Sequence, residues 1–278
     1  MTSIAIIGAG PLGGSLAHKL ASRGRTGEIR LIDPEVSVAR GKALDIQQSG
    51  PVEGFNASVT ADSSFLSAIG ADAIVVADNV AGVEHGGETG LSMIRQLMTA
   101  GAASPIVFAG ASQRELMMRC VTELRIARER VVGSAPAALA SAMRALAAVV
   151  LDASAVDICV NVVGVPPRDA VVTWQEGTVS GQPLPAVMPA HDIASLSARV
   201  PSLWPPGPYA LASAAARVAE AACVGSRRQY SCFVEIGRGR IASMPVELRR
   251  GGIERVVEPS LTAQERTAFE NAITREIS

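Results

Sequence analysis

The apolar positions in the first half of the chain come in short runs separated by stretches of helical spacing. Ile4 to Ile7 is an unbroken apolar run, read with Ser3 as a buried strand. Gly8-Ala9-Gly10-Pro11-Leu12-Gly13-Gly14 comes next. Beyond it Leu16 and Leu20 share one helical face, and Gly24 can close that helix. The stretch 28–34 predicts a second strand ending in Asp33. The β-branched runs at 71–78 and 104–110 predict two more strands, each buried on both faces. Residues 39–48 and 90–101 read as helices, and 129–133 as a further strand. Strand alternating with helix predicts a doubly wound parallel sheet.

Near residue 135 the pattern changes. Residues 139–150 are helical, and 156–164, 169–181, 230–237 and 241–257 read as twisted antiparallel strands joined by polar turns. A long helix at 209–223 lies between them, and Pro201–Pro208 reads as a loop. The stretch 261–277 predicts a C-terminal helix opened by Thr262, with Glu265 three residues on. The expected division is 1–134 and 135–278, an α/β unit followed by an α+β unit.

At 278 residues, 48% hydrophobic and 18% charged, the chain can bury a sizeable core. A net charge of -1 argues against a general nucleic-acid binder and against electrostatic membrane attachment. No apolar run reaches the ~18 residues that a membrane span needs, and no basic leader precedes the first strand. Cys120, Cys159, Cys223 and Cys232 lie in apolar segments without C-x-x-C spacing, which predicts buried free thiols. These features together predict a cytoplasmic protein. The three histidines are too far apart to suggest a metal site.

The glycine run carries the first chemical signal. Gly8-x-Gly10-x-x-Gly13 lies after a strand and opens a helix, and Asp33 stands 20 residues after Gly13 at the end of the next strand. In that context Gly8 permits the tight turn, Gly10 lets a pyrophosphate approach the backbone, and Gly13 lets helix and strand pack closely. The helix N-terminus offers amide donors. Asp33 would accept from ribose hydroxyls and repel a 2′-phosphate, which favours NAD over NADP. Gly8, Gly10, Pro11, Leu12, Gly13 and Asp33 are the candidate cofactor contacts. Glycines that serve packing alone are the plainer alternative.

Over nearly its whole length the chain resembles the lactate/malate dehydrogenase family. The resemblance rests on the glycine run with its helix, on 28–55 with Gly41-Lys42-Ala43-Leu44-Asp45, on 71–77, and on 177–185 and 244–273. It implies a Rossmann-type NAD-binding domain followed by an α+β substrate domain. It also implies a homo-oligomer, dimer or tetramer, with the helix around Lys42 at a subunit contact.

That family reduces 2-keto acids with a histidine as acid/base, an aspartate that orients it, and arginines that hold the carboxylate. Here Pro166 stands at the histidine, in Gly164-Val165-Pro166-Pro167-Arg168, and Leu139-Ala140-Ser141-Ala142 replaces the Asp-x-x-Arg helix motif. The mobile loop has Gly82 and Glu88 at its arginine positions. Asp78-Asn79 and Gly110-Ala111 stand in two turns that line the cofactor in the family. No histidine occurs between Gly86 and Ala190, no acid between Glu129 and Asp152, and no lysine or arginine from Ala43 to Ile94. Realignment by a few residues restores none of these functions, so lactate or malate dehydrogenase activity is expected to be absent.

Weaker candidates remain. Arg168 and Asp169 could replace lost charges or brace their loop as an ion pair. His85 and Glu84 could reach the cleft, although a solvated loop is the plainer reading. His191 reads better as a surface helix start, and Arg144 as structural. Asp78 would repel a bound pyrophosphate. Three functions stay open: a pseudoenzyme acting by binding, an NAD-dependent oxidoreductase for a different hydroxy or carbonyl substrate, charged or uncharged, and a structural subunit without ligand.

Overall fold

The computed structural model describes residues 2–274. Its first half runs β1 (Ser3–Ile7), α1 (Pro11–Ser22), β2 (Glu28–Ile32), α2 (Val36–Glu53), β3 (Ser58–Asp62), β4 (Ala73–Val76), α3 (Gly87–Thr99), β5 (Ile106–Phe108), α4 (Arg114–Thr122) and β6 (Val131–Gly133). All five pairings among these strands are parallel, in the order β3-β2-β1-β4-β5-β6. That is the doubly wound arrangement with its switch point between β1 and β4, where Ile7 pairs with Val76. Ligands of such sheets bind beyond the carboxyl ends of the strands at this point.

The second half continues with α5 (Ala135–Leu151), β7 (Ile158–Cys159), β8 (Val162–Val165), β9 (Asp169–Val172), β10 (Thr178–Val179), β11 (Gln182–Pro183), α6 (Leu184–Val187), α7 (Ala190–Ala198), α8 (Pro208–Val224), β12 (Ser226–Glu235), β13 (Ile241–Arg249), β14 (Gly252–Val256) and α9 (Ala263–Thr274). β12 joins β6 antiparallel and extends the sheet through β13, β8 and β9, with β14 also on β13. β7, β10 and β11 form a small separate sheet.

The core tracks the apolar runs. Ile4, Ile6, Ile29, Leu31, Ile74 and Phe108 are fully buried in the sheet, and Leu16 and Leu20 bring α1 down on it. The C-terminal helix has the expected cap: Glu265 N–H donates to Thr262 Oγ1 (3.2 Å) and Thr262 N–H to Glu265 Oε2 (2.8 Å). Its predicted continuation to Ile277 lies outside the described residues.

Several expectations need correction. β3 was not expected; it is an edge strand with only Val59 buried, so its pattern is faint. α4 is short, and the apolar Leu116, Met117 and Cys120 on its buried face are interspersed with Arg114, Glu115 and Arg119. α2 is longer than 39–48, because the left-handed Gly54 is what ends it. Trp174, inside the strand expected at 169–181, lies beyond β9 and is buried, with its Nε1–H donating to Ser197 Oγ (2.8 Å). Cys120, Cys223 and Cys232 are buried free thiols, whereas Cys159 is exposed, since it alternates with the inward Ile158 and Val160. Burial pushes the Cys120 thiol up to about 12.

α1, which carries the glycine run, is held by more than apolar contact. Arg23 at its C-terminus donates to Glu220 of α8 through Nε (2.8 Å) and Nη2 (2.7 Å), a two-pronged pair with little solvent access. Removing one member leaves an uncompensated charge. Glu220→Ala is expected to cost about 3 kcal/mol, read as a lower urea midpoint, and Arg23→Met/Glu220→Leu should regain most of it.

Candidate functional site

The crevice at the switch point is built from three turns: the glycine run after β1, residues 77–86 after β4, and 109–113 after β5. The first turn of a helix normally leaves its N–H groups without partners, which is what makes it an anion site. Here every N–H of the run is taken by protein. Gly8 donates to Ile32 O (2.7 Å), Ala9 to Asp33 Oδ2 (2.9 Å) and Gly10 to the main-chain oxygen of Asp78 (2.9 Å). Leu12 and Gly13 donate to the two oxygens of the Asp78 carboxylate (3.1 and 2.9 Å). Pro11 has no N–H, and Gly14 already donates to Gly10 O within the helix.

Asp33 is equally committed. It is 1% exposed and accepts from Ala9, Val80 (3.2 Å) and Glu35 (3.0 Å), so it ties the glycine run to the turn after β4. From the other side Lys42 Nζ donates to Ala9 O (2.5 Å) and Gly10 O (3.1 Å).

Residues 78–84 form a closed turn. Asp78 bridges Glu84, Asn79 N–H donates to Val83 O (2.9 Å), and Asn79 Oδ1 accepts from Val83 N–H (3.0 Å). The turn delivers a second carboxylate: Glu84 accepts from the N–H groups of Ala111 (2.9 Å) and Ser112 (2.8 Å) and from Ser112 Oγ (2.5 Å). Gln113, 2% exposed, locks the turn after β5 to the turn after β4. Its Oε1 accepts from Gly110 N–H (2.8 Å), and its Nε2 donates to Ala77 O and His85 O (both 3.2 Å).

The sequence-predicted residues converge only in part. Gly8, Gly10, Pro11, Leu12, Gly13 and Asp33 do meet at the switch point, with Asp78 on top of them. A pyrophosphate would need the Leu12 and Gly13 amides, and a ribose would need the Asp33 oxygens. As arranged, these residues do not fit a dinucleotide. His85 is not a solvated loop histidine: its Nε2 is buried with no hydrogen-bond partner, and desolvation holds its pKa below the usual range against the opposing pull of Asp33 and Asp78. Arg168 is exposed in the turn of the β8–β9 hairpin, and Asp169 opens β9 opposite Val165. His191 starts α7 at the surface beside Asp192 (3.5 Å). Arg144 holds the carbonyls of Ala155 and Val156, a structural role. No metal-binding cluster occurs among the described residues, and no helix among them is long and apolar enough to cross a membrane.

Sequence reasoning missed Glu84 as an amide acceptor, Gln113 as the hub and Lys42 as the clamp. One signal was available for Glu84: an acid in a loop without lysine or arginine turns to amide and hydroxyl donors for its partners.

No family model matches this chain. It is 28% identical over 298 aligned positions to a malate dehydrogenase of Roseobacter denitrificans, covering 97% of this chain and 93% of the relative. It is 28% identical to a malate dehydrogenase of Neorickettsia sennetsu, covering 97% and 95%. Among solved structures, the malate dehydrogenase from Salinibacter ruber superposes with a TM-score of 0.87 at 22% identity, covering 99% of this chain and 95% of that one. The minor L-lactate dehydrogenase from Enterococcus mundtii gives 0.87 at 19%, covering 99% and 96%.

Glu84 can be tested through its neighbour. A Cβ on Gly110 would fall inside the Glu84 carboxyl, whose atoms are the three nearest to it, whereas one on Gly10 would also strike the main-chain oxygen of Asn79. Gly110→Ala should therefore destabilise the wild type by about 1–3 kcal/mol and be tolerated in a Glu84→Ala background. Gly10→Ala should destabilise both. A double-mutant cycle on urea midpoints checks this.

Proposed function

Since this chain belongs to the lactate/malate dehydrogenase family, we propose that it is a member that has given up keto-acid reduction and acts by binding, as a pseudoenzyme. The observation that carries this reading is the β8–β9 hairpin. By the resemblance, β8 leads to the place of the family's histidine. In this chain the strands close there on Pro166-Pro167-Arg168, with Val165 paired to Asp169 and Pro166 buried. Neither proline can exchange a proton. The absence of lysine and arginine from 43 to 94 adds the loss of the carboxylate clamp. Losing a general base alone costs about 10²–10⁴ in rate; losing base, orienter and clamp together removes the mechanism.

NAD(H) is the nucleotide this crevice would take, through Gly8, Gly10, Pro11, Leu12, Gly13 and Asp33, provided that Asp78 moves. We also propose a homo-oligomer with α2 at the contact. This is supported by exposed apolar residues on α2, Leu44 at 55% and Val52 at 88%. The second reading, an NAD-dependent oxidoreductase for an uncharged substrate, is favoured by one observation, the unpartnered Nε2 of His85 at the crevice.

With NADH present, neither pyruvate nor oxaloacetate should be reduced above background, monitored at 340 nm; turnover of either at an ordinary enzymatic rate overturns the reading. Oxidation of NADH by simple aldehydes or ketones, lost in His85→Ala, would establish the second reading instead. Leu44→Asp should reduce the mass seen by light scattering to that of one chain.

A further inference from the structure

Asp78 and Glu84 lie six residues apart on one closed turn, and each carboxylate sits on a pair of adjacent backbone amides in a different wall of the crevice. We propose that this turn is a built-in ligand, an autoinhibitory latch whose two carboxylates take the anion-binding amides of the crevice and shut it to dinucleotides. The inference deepens the reading above and rests on it only for the identity of the nucleotide.

Three features set the latch apart from ordinary loop packing. First, it is chemically matched to what it excludes. The Leu12 and Gly13 amides sit at the start of α1, where the helix field favours an anion, and the Asp78 carboxylate meets them with one oxygen each. A pyrophosphate asks for the same donors, so the two anions compete for one place. They also repel each other, being like charges.

Second, the latch is held at both ends and in the middle. Asp78 also takes the Gly10 N–H on its main-chain oxygen, Val80 is tied to Asp33, and Glu84 reaches Ala111 and Ser112. No lysine or arginine occurs anywhere in 43–94 to draw either acid outward. The close approach depends on glycine at both contacts, since a Cβ on Gly10 would overlap the Asp78 carboxyl and one on Gly110 the Glu84 carboxyl.

Third, closure leaves one group unsatisfied. His85 Nε2, directly after Glu84, is buried without a partner. A turn that swung outward would return that nitrogen to water and free the Leu12, Gly13, Ala111 and Ser112 amides together. The open and closed states thus differ by a rearrangement of one short turn, a bistable element that an anionic ligand can bias.

The test is gain of binding. Wild-type protein, Asp78→Ala and Asp78→Ala/Glu84→Ala are titrated with NADH, and with inorganic pyrophosphate, by calorimetry. The single variant should bind NADH at least tenfold more tightly than wild type, and about 100-fold if both charged hydrogen bonds count fully. The double variant should bind at least as tightly as the single. NADH should then raise the melting temperature of the variants by several degrees while leaving wild type almost unmoved.

A folded Asp78→Ala, judged by its circular dichroism, that binds NADH no better than wild type overturns the latch. If alanine prevents folding, Asp78→Asn keeps an acceptor oxygen, removes the charge and should still improve binding at least threefold. Wild type that binds NADH at micromolar Kd overturns the latch without any variant. Keto-acid turnover is read in a separate assay, so failure of the proposed function and failure of the latch are distinguishable.

Discussion

The contact on which the crevice depends is the Asp78 carboxylate against the N–H groups of Leu12 and Gly13. A helix start buried beneath other chain must have its donors satisfied, because an unpaired buried amide costs about 1–3 kcal/mol. In a dinucleotide-binding protein the ligand supplies the acceptors. Here the chain supplies them, and this sets the neighbouring arrangement. Asp78 can lie over α1 because Gly10 has no side chain. The turn can fold back because Asn79 and Val83 close it, and Asp33 is drawn to Val80 because the turn now covers it.

The same logic links the crevice to the rest of the fold. β1 and β4 are neighbours at the switch point, so the turn after one strand always faces the turn after the other. Lys42 reaches the glycine run from α2, and Arg23 anchors the far end of α1 to Glu220 on α8. Gln113 joins the turns after β4 and β5. A rigid frame thus holds a short turn whose position decides whether the amides of the site are available.

Much of the architecture was legible because apolar runs and turn residues agreed. Ser3–Ile7, the glycine run and Asp33 marked out the first unit, and Thr262 with Glu265 marked the last helix. Parallel pairing of β1 with β2 and β4 was predictable from alternation alone. β3 stayed hidden because an edge strand with only Val59 inside has almost no pattern. The position of Asp78 was legible, and so was its hostility to a pyrophosphate. That its carboxylate would replace the pyrophosphate was not, because hydrogen bonds between residues more than sixty positions apart leave no periodicity. His85 was misread for a related reason: its neighbours are polar in sequence, and its burial comes from the turn closing over it. That position 166 is a proline and that 43–94 holds no lysine or arginine needed no structure, since these are matters of residue type.

The most direct measurement of the central claim is amide hydrogen exchange at Leu12 and Gly13 in wild-type protein without nucleotide, read by nitrogen-resolved NMR. First-turn helix amides have no intrahelical acceptor, so protection there reports an external partner. The account predicts slow exchange for both amides, unchanged by added NADH and lost in Asp78→Ala. Fast exchange in the nucleotide-free wild type, slowed only when NADH is added, would contradict it.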